Sequence, residues 1–325
     1  MLSVCCATYG PPDNLQRIET ATPEPQAGEV LVAVRAAGVG FVDGLMIQGL
    51  YQVKPSLPYY PGSEFAGEVR ALGPGVEQLA VGERVMGLAG SGAYSDYVAV
   101  PAAGLIQLND KLDDATGAGF YINYATALYG LRDCGQLMSG ETVLVLGAAG
   151  GVGSAAICVA KALGAEVIAA GSTAAKRAAA LSFGADAAVD YSRDDWRDEL
   201  RALMGRRGLD LVYDPVGGSV SEPAFRSLAP GGRHLVVGFA SGTIPKIALN
   251  LALLKRASIV GVDWGGESRA NPQINVELMA TLFELLEQGR LHCAPVTERP
   301  MANIVAALTE QLAGQAVGKI VLVND

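Results

Sequence analysis

The sequence predicts an α/β chain in which a doubly wound parallel sheet is joined to a β-rich domain. Three observations carry that expectation. Between residues 142 and 262, apolar strand-like runs alternate with stretches of helical spacing. A glycine-rich turn, Gly147-Ala-Ala-Gly-Gly-Val-Gly153, separates the first of these strands from the first of these helices. Before residue 110 the chain is instead rich in Gly, Pro and β-branched residues.

The bulk numbers agree. A chain of 325 residues is long enough for two domains. Half of it is hydrophobic and 18% is charged, which favours well-buried cores. The net charge of −9 argues against a general nucleic-acid binder, although it leaves room for a local basic pocket. Five cysteines are scattered, with only Cys5 and Cys6 adjacent and no CxxC pair, so reduced thiols and a cytoplasmic location are expected. The opening Met1-Leu-Ser-Val-Cys-Cys-Ala7 lacks a basic segment and soon meets Pro11-Pro12-Asp13, which does not fit a signal peptide. No stretch of about eighteen uninterrupted apolar residues is present, so no membrane span is expected.

Taken in order, residues 29–36 and 64–72 alternate like strands, and turn signals such as Gly73-Pro-Gly75 and Val81-Gly-Glu-Arg84 separate strands. Residues 114–131 have helical spacing. Strand 142–146 then leads to helix 151–163, and strand 166–170 to helix 174–183. A short extended piece follows at 187–191. Helix 194–203 leads to strand 209–214, helix 219–228 to strand 233–238, and helix 249–256 to strand 258–262. Such alternation implies a parallel sheet with helices on both faces. Residues 275–288 read as an amphipathic helix and 318–323 as a final strand.

The glycine turn is a phosphate cradle. Backbone N–H groups at a helix start point outward, and the helix dipole favours an anion there. Gly150, Gly151 and Val152 are the expected donors to a dinucleotide pyrophosphate. Gly153 lets the helix pack closely on its strand.

The next strand selects the dinucleotide. An NAD site usually places Asp or Glu at this strand's C-terminal end, to hold the ribose 2′-hydroxyl. Here that end reads Ala169-Ala-Gly-Ser-Thr173. Glu166 stands at the opposite end, roughly 16 Å away for a five-residue strand. Without the carboxylate a 2′-phosphate meets no repulsion. Gly171, Ser172, Thr173 and Lys176 then form a phosphate pocket, so NADPH is the expected cofactor. Arg177 is expected to be a solvated residue of the helix's first turn.

At this point the chain resembles the zinc-independent quinone oxidoreductases of the medium-chain dehydrogenase/reductase superfamily, over nearly its whole length. The most specific stretch is Gly49-Leu-Tyr-Gln-Val-Lys-Pro-Ser-Leu-Pro-Tyr-Tyr-Pro-Gly-Ser-Glu-Phe-Ala-Gly67, which is most similar to the quinone oxidoreductase-like subgroup. Asn123-Tyr-Ala-Thr126, Tyr213-Asp-Pro-Val-Gly-Gly218, Gly238-Phe-Ala240 and Gly318-Lys-Ile-Val321 match further landmarks.

The resemblance implies a Rossmann NADPH-binding domain at 123–266 and a discontinuous GroES-like catalytic domain at 1–122 and 267–325. It implies hydride transfer from NADPH to a quinone or conjugated enone. It places Asn123, a catalytic candidate as well, and Thr126 near the nicotinamide or its ribose-phosphate, and Gly238, Phe239 and Ala240 at the nicotinamide end. Tyr191 either packs by the adenosine or is an exposed strand-end tyrosine. Lys319 either approaches the cofactor phosphates or is solvated. Tyr51 either polarises the acceptor carbonyl or donates a proton to it, or else is a packed loop residue. Trp264 either walls the site or packs between domains. Asp43 is expected in a structural hydrogen bond.

In the alcohol dehydrogenase branch a catalytic Cys would fall at Gly40 and a His at Ser63, and neither residue is a credible zinc ligand. No metal is therefore expected. His234 and His292 lie elsewhere and are expected to be structural or surface residues. A homodimer through strand 258–262 is implied by analogy. Two alternatives remain open: an enoyl-thioester reductase of the enoyl-CoA type, and an NADPH-binding sensor or scaffold without turnover.

Overall fold

The computed structural model describes residues 1–205 and 207–324. The chain forms two compact units, Met1–Ile122 with Val296–Asp325, and Asn123–Pro295.

The first unit begins with β1 (Leu2–Cys6), β2 (Leu15–Glu19), β3 (Glu29–Gly38) and α1 (Phe41–Ile47). It continues through β4 (Glu64–Leu72), β5 (Arg84–Leu88), β6 (Tyr97–Pro101) and β7 (Leu105–Gln107). Helix α2 (Asp114–Leu128) carries the chain to the second unit, and a π-helical turn, Tyr129–Cys134, follows it. The second unit then runs through β8 (Thr142–Leu146), α3 (Gly151–Ala162), β9 (Glu166–Ala170), α4 (Ala174–Ser182) and β10 (Ala187–Val189). After these come α5 (Trp196–Met204), β11 (Leu209–Asp214), α6 (Ser221–Arg226), β12 (Leu228–Val236) and α7 (Leu249–Lys255). The unit ends with β13 (Ser258–Gly261), α8 (Trp264–Ala270) and α9 (Gln273–Glu287). The return to the first unit supplies β14 (Val296–Pro300), α10 (Ile304–Leu312) and β15 (Lys319–Val323).

In the second unit six strands pair in the order β10-β9-β8-β11-β12-β13, every pair parallel. Every residue of β8 is buried, so it reads as a continuous apolar run rather than an alternating one. The α3 face is built of small residues, with Ala155, Ala156 and Ala160 fully enclosed. On the other side Trp196, Leu200, Phe225, Leu228 and Leu251 join one core with Leu144, Leu146 and Val212. Strand order reverses between β8 and β11, the switch point where such sheets open a crevice at their C-terminal strand ends.

The first unit has a seven-stranded sheet, ordered β14-β15-β3-β4-β5-β7, with β6 on β3. Residues 318–323 thus do return to the first unit, antiparallel to β3. Residues 267–295, expected with the β-rich domain, fold instead with the second unit. Their hydrogen bonds are the reason. Arg132 donates to the Thr281 hydroxyl (3.1 Å), Arg290 to the Ala162 carbonyl (2.8 Å), and the Ala294 amide to the Tyr124 hydroxyl (2.9 Å). The chain crosses back only at Val296.

A buried ion pair lies within the first unit. The expectation that Lys319 reaches cofactor phosphates or solvent gives way here, because its Nζ is bonded to Glu64 Oε1 at 7% exposure against 1% for Glu64. The other oxygen, Oε2, accepts the Ile122 amide (3.1 Å). Two glycines leave room for the pair: a Cβ on Gly38 would stand 2.9 Å from the Glu64 carboxyl carbon, and one on Gly119 would stand 2.9 Å from Lys319 Cγ. Glu64 therefore ties β4 to β15 and to α2.

Lys319→Met leaves the carboxylate enclosed without its cation and should cost about 3–5 kcal/mol. Adding Glu64→Gln should recover most of that loss. Urea unfolding midpoints check both, and an unchanged midpoint in Lys319→Met would mean that the pair is not holding the unit.

Candidate functional site

The C-terminal ends of β10, β9, β8, β11 and β12 lie side by side along one edge of the second unit's sheet, and five loops leave from them. After β8 the chain turns through Gly147, whose φ of +58° is in the left-handed region. Gly150 caps α3 without a side-chain bond. The amides of Gly151 and Val152, in the first turn, have no intrahelical acceptor and face outward. Gly153 is required by packing, since a Cβ there would run into the Gly147 carbonyl. Gly150, Gly151 and Val152 are half-buried, so the cradle is reachable.

The β9 end is free of acids, and its neighbours are specifically arranged. Thr173 accepts the Lys176 amide (3.2 Å) and caps α4, with its own O–H still able to donate. Arg177, expected to be solvated, instead binds the Gly171 carbonyl (3.2 Å) and Asp190 (2.8 Å), so it braces the β9 and β10 ends together. Tyr191 is half-buried rather than an exposed strand-end residue. Burial raises its phenol pKa, and a hydrogen bond with Ser172 partly offsets that rise. Gly171, Ser172, Lys176 and Tyr191 are therefore gathered at adjoining strand ends.

The β11 end is organised by a carboxylate that the sequence reading quoted but gave no role. Asp214 accepts the amides of Val216 (2.9 Å) and Gly217 (2.8 Å), the Ser221 hydroxyl (2.5 Å) and His234 Nε2 (3.1 Å). Burial alone would raise its pKa, but bonds from His234, Ser221 and Gly217 outweigh that and hold it below the usual carboxylate range. His234 is thus a structural residue, fully buried, with Nδ1 enclosed without a partner among the described residues. The loop this network fixes receives the next one. The amides of Ala240 and Ser241 bond to the carbonyls of Pro215 and Val216, and Phe239 closes over Gly217, where a Cβ would come within 2.9 Å. Gly238, Phe239 and Ala240 are thereby brought to the same edge as the glycine cradle. Trp264 packs within this unit, its indole N–H on Asn275 (3.1 Å). Asn123 is buried on α2, and Thr126, one turn later on the same face, is partly exposed.

In the first unit Tyr51 stands half-buried on the loop between α1 and β4, beside the exposed side chains of Leu50 and Val53. Nearby elements carry a second network. Asp43 accepts the Gly40 amide (2.9 Å), the Ser63 hydroxyl (2.5 Å) and the Tyr94 hydroxyl (2.7 Å). Burial, then the Asp43 charge, push the Tyr94 phenol well above its usual range, so it stays a donor. This is the structural role expected of Asp43, and it bears on zinc. At the two positions where a dehydrogenase would offer Cys and His, Gly40 has no side chain and the Ser63 hydroxyl is turned to Asp43. That donor set does not fit zinc. No group of three His, Cys, Asp or Glu side chains able to hold a metal occurs among the described residues. No helix among them is long and apolar enough to cross a membrane, and all five cysteines are free.

Comparison with known proteins adds to this geometry. A family profile described as "Zinc-binding dehydrogenase" matches residues 151–281, and one described as "Alcohol dehydrogenase GroES-like domain" matches residues 26–110. Quinone oxidoreductase-like protein 2 of Bos taurus is 37% identical over 309 residues, covering 94% of this chain and 88% of its own length. Among solved structures, the quinone oxidoreductase of Escherichia coli, complexed with NADPH, superposes with a TM-score of 0.90 at 28% identity over the full length of both chains. The CurK enoyl reductase superposes with a TM-score of 0.89 at 26% identity, over 99% of this chain and 98% of its own.

Proposed function

Because the chain belongs to the quinone oxidoreductase family of the medium-chain dehydrogenase/reductase superfamily, we propose that it is an NADPH-dependent reductase passing hydride to a quinone or conjugated carbonyl without a metal. The observation that carries this reading is the glycine-lined edge of the second unit, where outward amides at Gly151 and Val152 adjoin a β9 end with Ser172 and Lys176 but no carboxylate.

When bound, the reduced nicotinamide supplies the hydride. The chain's own residues do the rest. Gly150, Gly151 and Val152 receive the pyrophosphate. Gly171 lets a 2′-phosphate approach, and Ser172 and Lys176 hold it by charge-assisted bonds. Tyr191 packs by the adenosine. Asn123 and Thr126 orient the nicotinamide ribose, and Gly238, Phe239 and Ala240 border the ring. Lys319 is left out of this set because Glu64 already holds it. Tyr51 hydrogen-bonds the acceptor carbonyl and passes it the proton that accompanies the hydride. The likeness to the CurK enoyl reductase favours a second reading, in which the acceptor is an α,β-unsaturated thioester reduced at the same site.

The same reading extends to assembly and location. Strand β13 is a sheet edge with Ser258, Ile259 and Gly261 exposed, and α7, which precedes it in the chain and packs on β12, exposes Leu249 (79%), Leu253 (77%) and Leu254 (74%). An apolar edge of this kind calls for a cover. We propose a homodimer pairing β13 with its copy, in a cytoplasmic compartment that keeps the five thiols reduced.

Three measurements test these proposals. Steady-state NADPH oxidation with 1,4-benzoquinone, 9,10-phenanthrenequinone and crotonyl-CoA should favour the quinones, and Tyr51→Phe should lower kcat/KM with NADPH affinity intact. Preference for crotonyl-CoA would establish the thioester reading, and tight NADPH binding without turnover of any acceptor would make the protein a sensor or scaffold. In binding isotherms Lys176→Ala should weaken NADPH by about 1.5–3 kcal/mol while NADH barely changes; equal losses would sink the 2′-phosphate assignment. Sedimentation of the wild type should give a dimer and of Ile259→Asp a monomer, whereas a monomeric wild type would refute the interface.

A further inference from the structure

Although the chain is acidic overall, four cations carried by α5, α6 and α7 of the second unit come near one another. Trp196, Leu200, Phe225, Leu228 and Leu251 share one core, and the cations stand beside these residues in sequence. Arg197 and Arg201 flank the inward Trp196 and Leu200 on α5, and Arg226 follows Phe225 at the end of α6. Lys255 ends α7 with its Nζ on the Leu228 carbonyl (2.9 Å). They are close enough to act on one another. Desolvation, then the charges of Arg197, Arg201 and Arg226, lower the Lys255 pKa.

Three of the four have a local reason to be where they are. Arg201, Arg226 and Lys255 each lie in the last turn of a helix, where the dipole favours a cation. Arg201 is paired with Asp198 (2.8 Å) and Arg226 with Glu222 (2.6 Å). Arg197 has none of these reasons. It lies in the first turn of α5, the end that favours acids, and one turn from the like charge of Arg201. It forms no salt bridge among the described residues, and its Nε is buried with no hydrogen-bond partner. Asp198 and Glu222 act on Arg197, and each is already paired with another arginine, Arg201 and Arg226.

A guanidinium with no salt bridge and an unpartnered N–H, beside further cations, is complementary to a multiply charged oxyanion. We propose that Arg197, Arg201, Arg226 and Lys255 form an anion site for a polyphosphate group, either free or carried by a nucleotide. The site is distinct from the glycine edge. Lys255 is bonded to Leu228, which pairs with Leu209 at the start of β11, whereas Val236, two residues before Gly238, pairs with Asp214 at its end, and those five steps of strand span roughly 16 Å.

Isothermal titration with inorganic pyrophosphate, with and without saturating NADPH, tests this. The wild type should bind pyrophosphate in both conditions, and Arg197→Gln should weaken that binding roughly tenfold or more, the size of one charge-assisted bond. A parallel titration with ATP identifies the source: tighter binding than pyrophosphate points to a nucleotide, equal binding to the phosphates alone. The proposal is overturned if the wild type does not bind, if NADPH abolishes the binding, or if Arg197→Gln binds as tightly as the wild type. A titration signal matched by sodium chloride at equal ionic strength would overturn it as well, because it would reduce the effect to screening.

Discussion

Four donors converge on the Asp214 carboxylate, and the glycine-lined edge of the second unit is arranged around it. Two of them are backbone amides from its own loop, one is a helix-start hydroxyl, and one is an imidazole from the neighbouring strand. A buried carboxylate so supplied stays ionised and rigid. The loop it fixes has two dependents. Val216 is pressed against Gly147, where a Cβ would come within 2.7 Å of its side chain, so the glycine turn takes its shape partly from the β11 loop. The Pro215 and Val216 carbonyls hold the amides of Ala240 and Ser241, so the β12 loop does too. His234 meets this arrangement at a cost, since Nε2 donates to Asp214 and Nδ1 is enclosed without a partner.

Features that follow from neighbours in sequence were legible. Strand β8, the glycine turn and α3 form one continuous stretch, and the acid-free end of β9 can be read directly. Features that depend on distant partners were not. Lys319 and Glu64 are 255 residues apart, and a lysine at a strand start carries no local mark of burial. The helical spacing at 275–288 identified a helix but could not say which core it joins, and that is decided by Arg132, Arg290 and Tyr124. Arg177 looked like its neighbour Lys176, and only the approach of β10 turns it inward to Asp190. Glycines offered the signal that was missed: Gly38 and Gly119 look like loose backbone in the sequence, yet each is where the buried pair needs space.

The first unit gives the chemistry its other constraint. Around Asp43, the positions that serve zinc in related dehydrogenases are converted into a hydrogen-bonded brace. Gly40 contributes an amide, Ser63 a hydroxyl, and Tyr94 a phenol kept protonated by burial. Such a brace holds α1 to β4 but offers no Lewis acid. An unactivated ketone would then lack its electrophilic partner. A quinone or conjugated carbonyl carries its own electron deficiency, so the residue set and the proposed acceptor class agree.

The two halves of the proposed reaction are specified in different ways. The proposed cofactor edge relies largely on backbone: outward amides at Gly151 and Val152, left-handed turns at Gly147 and Gly217, and close approach at Gly153. Backbone donors persist through most side-chain changes as long as those glycines stay, so such an edge is compatible with one cofactor across divergent relatives. The acceptor half relies on side chains of a loop, with Tyr51 between the exposed Leu50 and Val53. Loops tolerate substitution without loss of the fold. A family built this way can keep its reductant and change its acceptor by altering a few positions between α1 and β4. That is also why the sequence is more explicit about the source of the hydride than about its destination.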